Sequence, residues 1–157
     1  MSTWMLSSST LSRGRPVEHR GARLIAVAAA VLTALAIWVV AERVLGIDVR
    51  APAFDGSGAS LPIRAQDVVL VSALLSVAGW GLLAILERLT ARARRAWLVI
   101  ASVALVLSLG TPLAGTGVGA ANRLVLLLMH LAVGGVLIPL LYRTSPDARG
   151  AIVSGAG

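Results

Sequence analysis

The chain contains no cysteine, which excludes disulfides, thiolate metal ligation and cysteine nucleophiles. It also contains no lysine: all 14 basic residues are arginine. Charge is scarce, at 13% of 157 residues, where soluble domains carry about 25%. Histidine is limited to His19 and His130, too few for a metal-ligand set within one chain. There is no phosphate-binding loop, dinucleotide fingerprint or nucleophile elbow. No serine within an apolar run has a base at helical spacing. Neither enzymatic activity nor a cofactor is expected.

What the chain has instead is apolar length. Leu24–Ala41, Val68–Leu86, Ala96–Ala121 and Leu124–Tyr142 are free of charge, and each holds at least 18 residues. A helix needs about 20 residues to cross about 30 Å of hydrocarbon. The expected fold is all-α, an integral membrane four-helix bundle with spans at about 24–45, 67–87, 96–115 and 122–142. The tails at 1–22 and 144–157 read as unstructured. Ala34-Leu35-Ala36 resembles a signal-peptidase site, but the apolar run continues to Ala41, so an uncleaved first helix is expected.

The net charge of +7 would point to nucleic acid in a soluble protein. Its distribution gives a different meaning. Arg13, Arg15, Arg20, Arg23, Arg88, Arg92, Arg94, Arg95, Arg143 and Arg149 fall on one side of the spans. Arg43, Arg50, Arg64 and Arg123 fall on the other, offset by Glu42, Asp48, Asp55 and Asp67. This positive-inside pattern predicts cytoplasmic termini in a bacterial inner membrane. Anionic lipid headgroups are the expected partners of the arginines, and no nucleic-acid role is expected. The exterior loop at 46–66 contains Pro52, Gly56, Gly58 and Pro62 and reads as an irregular tether.

Small residues mark candidate packing faces: Ala26, Ala30 and Ala34; Ser72, Ser76 and Gly79; Ala104, Ser108 and Pro112; Gly134 and Gly135. His130 is the ionisable residue deepest in a span, a candidate for proton titration or ligand contact. The blander expectation is a neutral ring bonded across helices to Ser76, Ser108 or Thr33, with Gly134 leaving room beside it. Glu42, Arg43, Glu87 and Arg88 are boundary residues expected to snorkel to water. Asn122 and Arg123 open the fourth span, as a helix cap or, with the glycine-rich turn, an anion site. Pro112 and Pro139 are candidate kinks.

The stretches Glu87-Arg88-Leu89-Thr90, Arg94-Arg95-Ala96-Trp97, Ser108-Leu109-Gly110-Thr111-Pro112-Leu113 and Met129-His130-Leu131-Ala132-Val133-Gly134, with Ile138-Pro139, carry a resemblance. Over about Arg20 to Tyr142 the chain resembles small four-span proteins of high-GC bacteria grouped as domain of unknown function 6069. That resemblance implies the architecture and places His130 and Pro139 in a family motif, with no activity attached. Three roles stay open: a structural or accessory membrane component, as a homo-oligomer or with another membrane protein; a small oligomeric transporter or channel using His130; and an envelope sensor reading the exterior loop.

Overall fold

The computed structural model describes residues 16–52, 58–114 and 117–145, with side chains from residue 20 onward. Four helices dominate it: α1 (Pro16–Val39), α2 (Ala65–Leu89), α3 (Ala93–Ala114) and α4 (Ala120–Thr144). Each is long and apolar enough to cross a membrane. The first helix begins inside the segment read as a tail, because Pro16 suits a first helical turn, where its missing N–H is not needed. Residues 1–15 and 146–157, the rest of both expected tails, lie outside the described residues.

The helices alternate in direction. α1 packs on α2 and α4, while α3 packs on α4 and less extensively on α2. One end of this ring holds the start of α1, the α2–α3 turn and the end of α4, and is called here the terminal end. The opposite end carries the connection from α1 to α2.

Packing follows small residues on α1 and α2. On α1 the buried set is Ala26, Ala30, Ala34 and Trp38, a four-residue spacing that keeps one face turned inward. On α2, Val68, Ser72, Ser76 and Leu83 are buried at similar spacing. These faces let the backbones approach closely, so dispersion replaces the hydrophobic drive that lipid removes. The α3 expectation needs correction. Ala104 is exposed, and the inward face runs through Ala93, Trp97 and Pro112 with half-buried Leu105 and Ser108. Two apolar clusters result. Ala34, Trp38, Val49, Val68, Val125 and Leu126 gather toward the loop end, and Ala26, Ala30, Leu83, Trp97, Leu137 and Leu141 toward the terminal end.

The connection from α1 to α2, expected as an irregular tether, is ordered over much of its described length. α1 passes into a π-helical turn, Val40–Val44, and the chain then forms β1 (Arg50–Pro52) and β2 (Ser60–Pro62). The strands pair antiparallel, with Arg50 opposite Pro62, Ala51 opposite Leu61 and Pro52 opposite Ser60. Both prolines therefore sit one step from the Ala51–Leu61 pair. Antiparallel pairs alternate between bonded and non-bonded, so neither proline has to donate to the ladder. The Ile63 N–H to Val49 carbonyl bond of 2.8 Å continues the same alternation.

Pro112 and Pro139 both lie within continuous helix. A proline at 112 leaves the Ser108 carbonyl without its usual N–H donor. The Thr111 hydroxyl donates to that carbonyl at 2.8 Å. A local side chain thus supplies the bond the proline removes.

Candidate functional site

The polar groups of the chain gather at the two ends of the ring. At the terminal end, the Arg23 guanidinium of α1 pairs with the Glu87 carboxylate of α2 at 2.5 Å. Its Nε also donates to the Thr144 hydroxyl of α4 at 3.3 Å. Arg23 is only 7% exposed, so one side chain joins three helices at a depth where a lone charge would be costly. α3 is attached to α4 by two further contacts. The Arg94 guanidinium lies 4.2 Å from the centroid of the Tyr142 ring, and the Trp97 indole donates to the Ile138 carbonyl at 3.4 Å.

At the opposite end the hairpin is fastened by side chains from three elements. The Trp38 indole donates to the Ile63 carbonyl at 2.9 Å, and the Glu42 carboxylate accepts the Val49 N–H at 3.0 Å. Arg50 faces Pro62, so its own N–H and C=O point away from β2. The Asn122 side-chain amide meets both: its oxygen accepts from the Arg50 N–H at 3.1 Å and its nitrogen donates to the Arg50 carbonyl at 2.6 Å. One amide therefore takes the place of a third strand along the open edge of β1. The Arg50 guanidinium bonds the hydroxyl and carbonyl of Ser60 and pairs with Asp48. Gly117, at φ +80°, comes against the Gly58 carbonyl, leaving no space for a Cβ, so the α1–α2 and α3–α4 connections meet there.

Several expected site residues thus act otherwise than the sequence implied. Glu87 and Glu42 do not simply snorkel: one holds Arg23 and the other closes the turn before β1. Asn122 does not cap α4: Gly119 is the cap position, and the Asn122 amide is spent on Arg50. Arg123 is half-buried beside it, while Arg43 and Arg88 are exposed.

His130 does not bond across helices. Its Nδ1 lies 2.7 Å from the Leu126 carbonyl one turn earlier in α4, which makes that nitrogen the protonated one. Thr33 and Ser108 likewise bond carbonyls of their own helices, at Ala29 and Leu105. Ser76 is fully buried, and its hydroxyl has no hydrogen-bond partner among the described residues. The space at Gly134 belongs to α3: a Cβ there would fall 2.6 Å from Leu105 Cδ2. Among the described residues, no three His, Asp or Glu side chains converge as metal ligands.

The Arg23–Glu87 pair was within reach of sequence reasoning, since opposite charges close the same side of adjacent spans. The Asn122 clamp carried no such signal, because its partner is backbone.

An Asn122→Ala substitution is expected to free the hairpin from α4, leaving the Arg50 N–H and C=O without partners at a cost of about 2 kcal/mol. Hydrogen exchange at the Arg50 amide should accelerate more than tenfold, with exchange in the middle of α2 unchanged. Equal protection in both proteins would remove the clamp from the account.

Comparison with known proteins adds a family. A family described as Family of unknown function (DUF6069) matches residues 14–147, which includes both polar ends. No curated protein matches the chain, and no solved structure does.

Proposed function

The chain belongs to the DUF6069 family, and from that premise we propose that it is a multi-pass protein of a bacterial inner membrane, acting as a structural or accessory component of a membrane assembly. Both termini face the cytoplasm in this reading, and the hairpin end faces out. The arginine distribution supports that sidedness, because the terminal end carries Arg20, Arg23, Arg88, Arg92, Arg94, Arg95 and Arg143 among the described residues.

The observation that carries the role is the outward face of α3. This helix buries less of itself than the other three. Val99, Val103, Val106 and Leu107 are exposed along it, and with Ser102 the last three line a shallow depression. A serine hydroxyl turned toward hydrocarbon gains by meeting another helix, where it finds an acceptor and its small size permits close approach. A second copy of the chain or a different membrane protein fits that face.

The contact of His130 with the Leu126 carbonyl of its own helix supports a residue that packs within α4. The hairpin clamp likewise supports a cap rather than a mobile receiver.

The test is native mass spectrometry of the tagged chain, expressed at natural level and released in nanodiscs. The wild type should emerge with a second copy or a second membrane protein at fixed stoichiometry, and Ser102→Phe should abolish that association. A solitary chain, or an association indifferent to Ser102→Phe, would overturn the proposal.

A further inference from the structure

Between α1 and α2 at the terminal end lies a cleft of about 570 Å³, lined by Arg20, Arg23, Val77, Trp80, Gly81, Ala84, Glu87 and Arg88. Its residues are sorted by depth. Val77 lies eleven residues before Arg88 on α2, about 16 Å along a helix rising 1.5 Å per residue. The deep part is apolar, formed by Val77, Gly81 and Ala84 beside the Trp80 ring. The charged groups all stand at the rim.

The rim is unbalanced. Arg23 is neutralised by Glu87, whereas Arg20 and Arg88 are exposed and make no ion pair with any described residue. Two positive charges therefore face one opening. The floor is open at Gly81, where a Cβ would meet nothing within 4 Å. Trp80, eight residues before Arg88, adds an aromatic wall to the apolar part.

We propose that this cleft is a binding site for one anionic phospholipid, its phosphate between Arg20 and Arg88 and an acyl chain along Val77, Gly81 and Ala84. Charge complementarity selects an anionic headgroup over a zwitterionic one. The apolar floor selects a lipid over free phosphate, which would leave that surface uncovered. The Arg23–Glu87 pair stands at the same rim and joins α1 to α2, so a bound lipid adds to that attachment. The inference rests on the membrane reading but not on its sidedness.

The experiment uses the full chain in nanodiscs of mixed phosphatidylglycerol and phosphatidylcholine, released in the mass spectrometer to count retained lipids. Wild type should retain one phosphatidylglycerol at least tenfold more often than phosphatidylcholine. Arg20→Gln with Arg88→Gln should lose about tenfold of that retention. Gly81→Leu, whose Cβ enters open space and whose branch occupies the cleft, should reduce it while leaving the helical circular dichroism unchanged. Equal retention of the two lipids, or retention unaffected by both variants, would overturn the site. Failure to enter nanodiscs at all would instead overturn the membrane reading. Added inorganic phosphate at millimolar concentration should not displace the lipid, and displacement would show a free-phosphate site in its place.

Discussion

Glu87→Ala is expected to destabilise the protein by about 3 kcal/mol, because it strands a nearly buried guanidinium. Arg23 is held between the Glu87 carboxylate and the Thr144 hydroxyl. Removing the carboxylate leaves a full charge with one weak acceptor and little access to water. The residual bond to Thr144 and the position near the helix end keep the cost at the lower end of the range for a broken buried pair. Glu87→Gln should cost less, since its amide oxygen still accepts from the guanidinium. Arg23→Leu combined with Glu87→Leu should recover most of the loss, because both desolvated charges then disappear together. Unfolding in mixed micelles with increasing dodecyl sulfate, followed by circular dichroism, measures each variant. If the double variant is no more stable than Glu87→Ala, the pair is not what joins these helices.

The second large effect is expected at Gly134, where α4 meets α3. A Cβ would lie 2.6 and 2.7 Å from the two terminal carbons of Leu105 and 3.2 Å from its Cγ. The terminal carbons can rotate aside, but the Cγ, which moves only with χ1, must also give by a few tenths of an ångström in the groove between α3 and α4. Gly134→Ala should therefore cost about 1–2 kcal/mol despite the better helix propensity of alanine, and Gly134→Leu about 3 kcal/mol. Gly135 supplies the control, since a Cβ there meets nothing within 4 Å. Gly135→Ala is expected to be neutral or slightly stabilising. Leu105→Ala should rescue Gly134→Leu by making the space on the other side. An equal effect at both glycines would mean that α3 does not approach α4 through this position.

These two contacts differ in how well they could be read from the chain. The helices themselves follow from run length, and the α1 face of Ala26, Ala30 and Ala34 follows from a four-residue spacing. On α3 the small-residue stripe holds at Ser108 and Pro112 and fails at Ala104. Ala104 is small but exposed, whereas the larger Leu105 fills the groove left by Gly134.

The hairpin was misread for a different reason. Pro52 and Pro62 are turn-like residues, and three-residue strands are too short to show alternation. What stabilises them lies far away in sequence, in Asn122 of α4 and Trp38 of α1. A proline removes a donor only where the register demands one, and register is not visible before the partner strand is known. His130 illustrates the opposite case. Its depth in the span was legible, yet its bond to the carbonyl four residues earlier needed only α4 itself.

The bonds at the two ends also give the architecture its logic. In hydrocarbon, apolar side chains gain little by meeting one another rather than lipid, so helix pairing depends on close packing and polar contacts. The Arg23 contacts bind α1, α2 and α4 at one end, and the hairpin binds α1, α2 and α4 at the other. α3 is held by Trp97, Tyr142 and Leu105 on one side and leaves its remaining face outward.

The central claim is a four-span membrane protein with the hairpin outside and the α2–α3 turn inside, and the absence of cysteine makes it directly measurable. Single cysteines at Leu61, 62% exposed on β2, and at Ala91, exposed in the α2–α3 turn, would each be the sole thiol in the chain. An impermeant maleimide applied to intact cells should label Leu61→Cys and spare Ala91→Cys until the membrane is opened. Labelling of Ala91→Cys alone would reverse the orientation, and labelling of both in intact cells would contradict the membrane-spanning account.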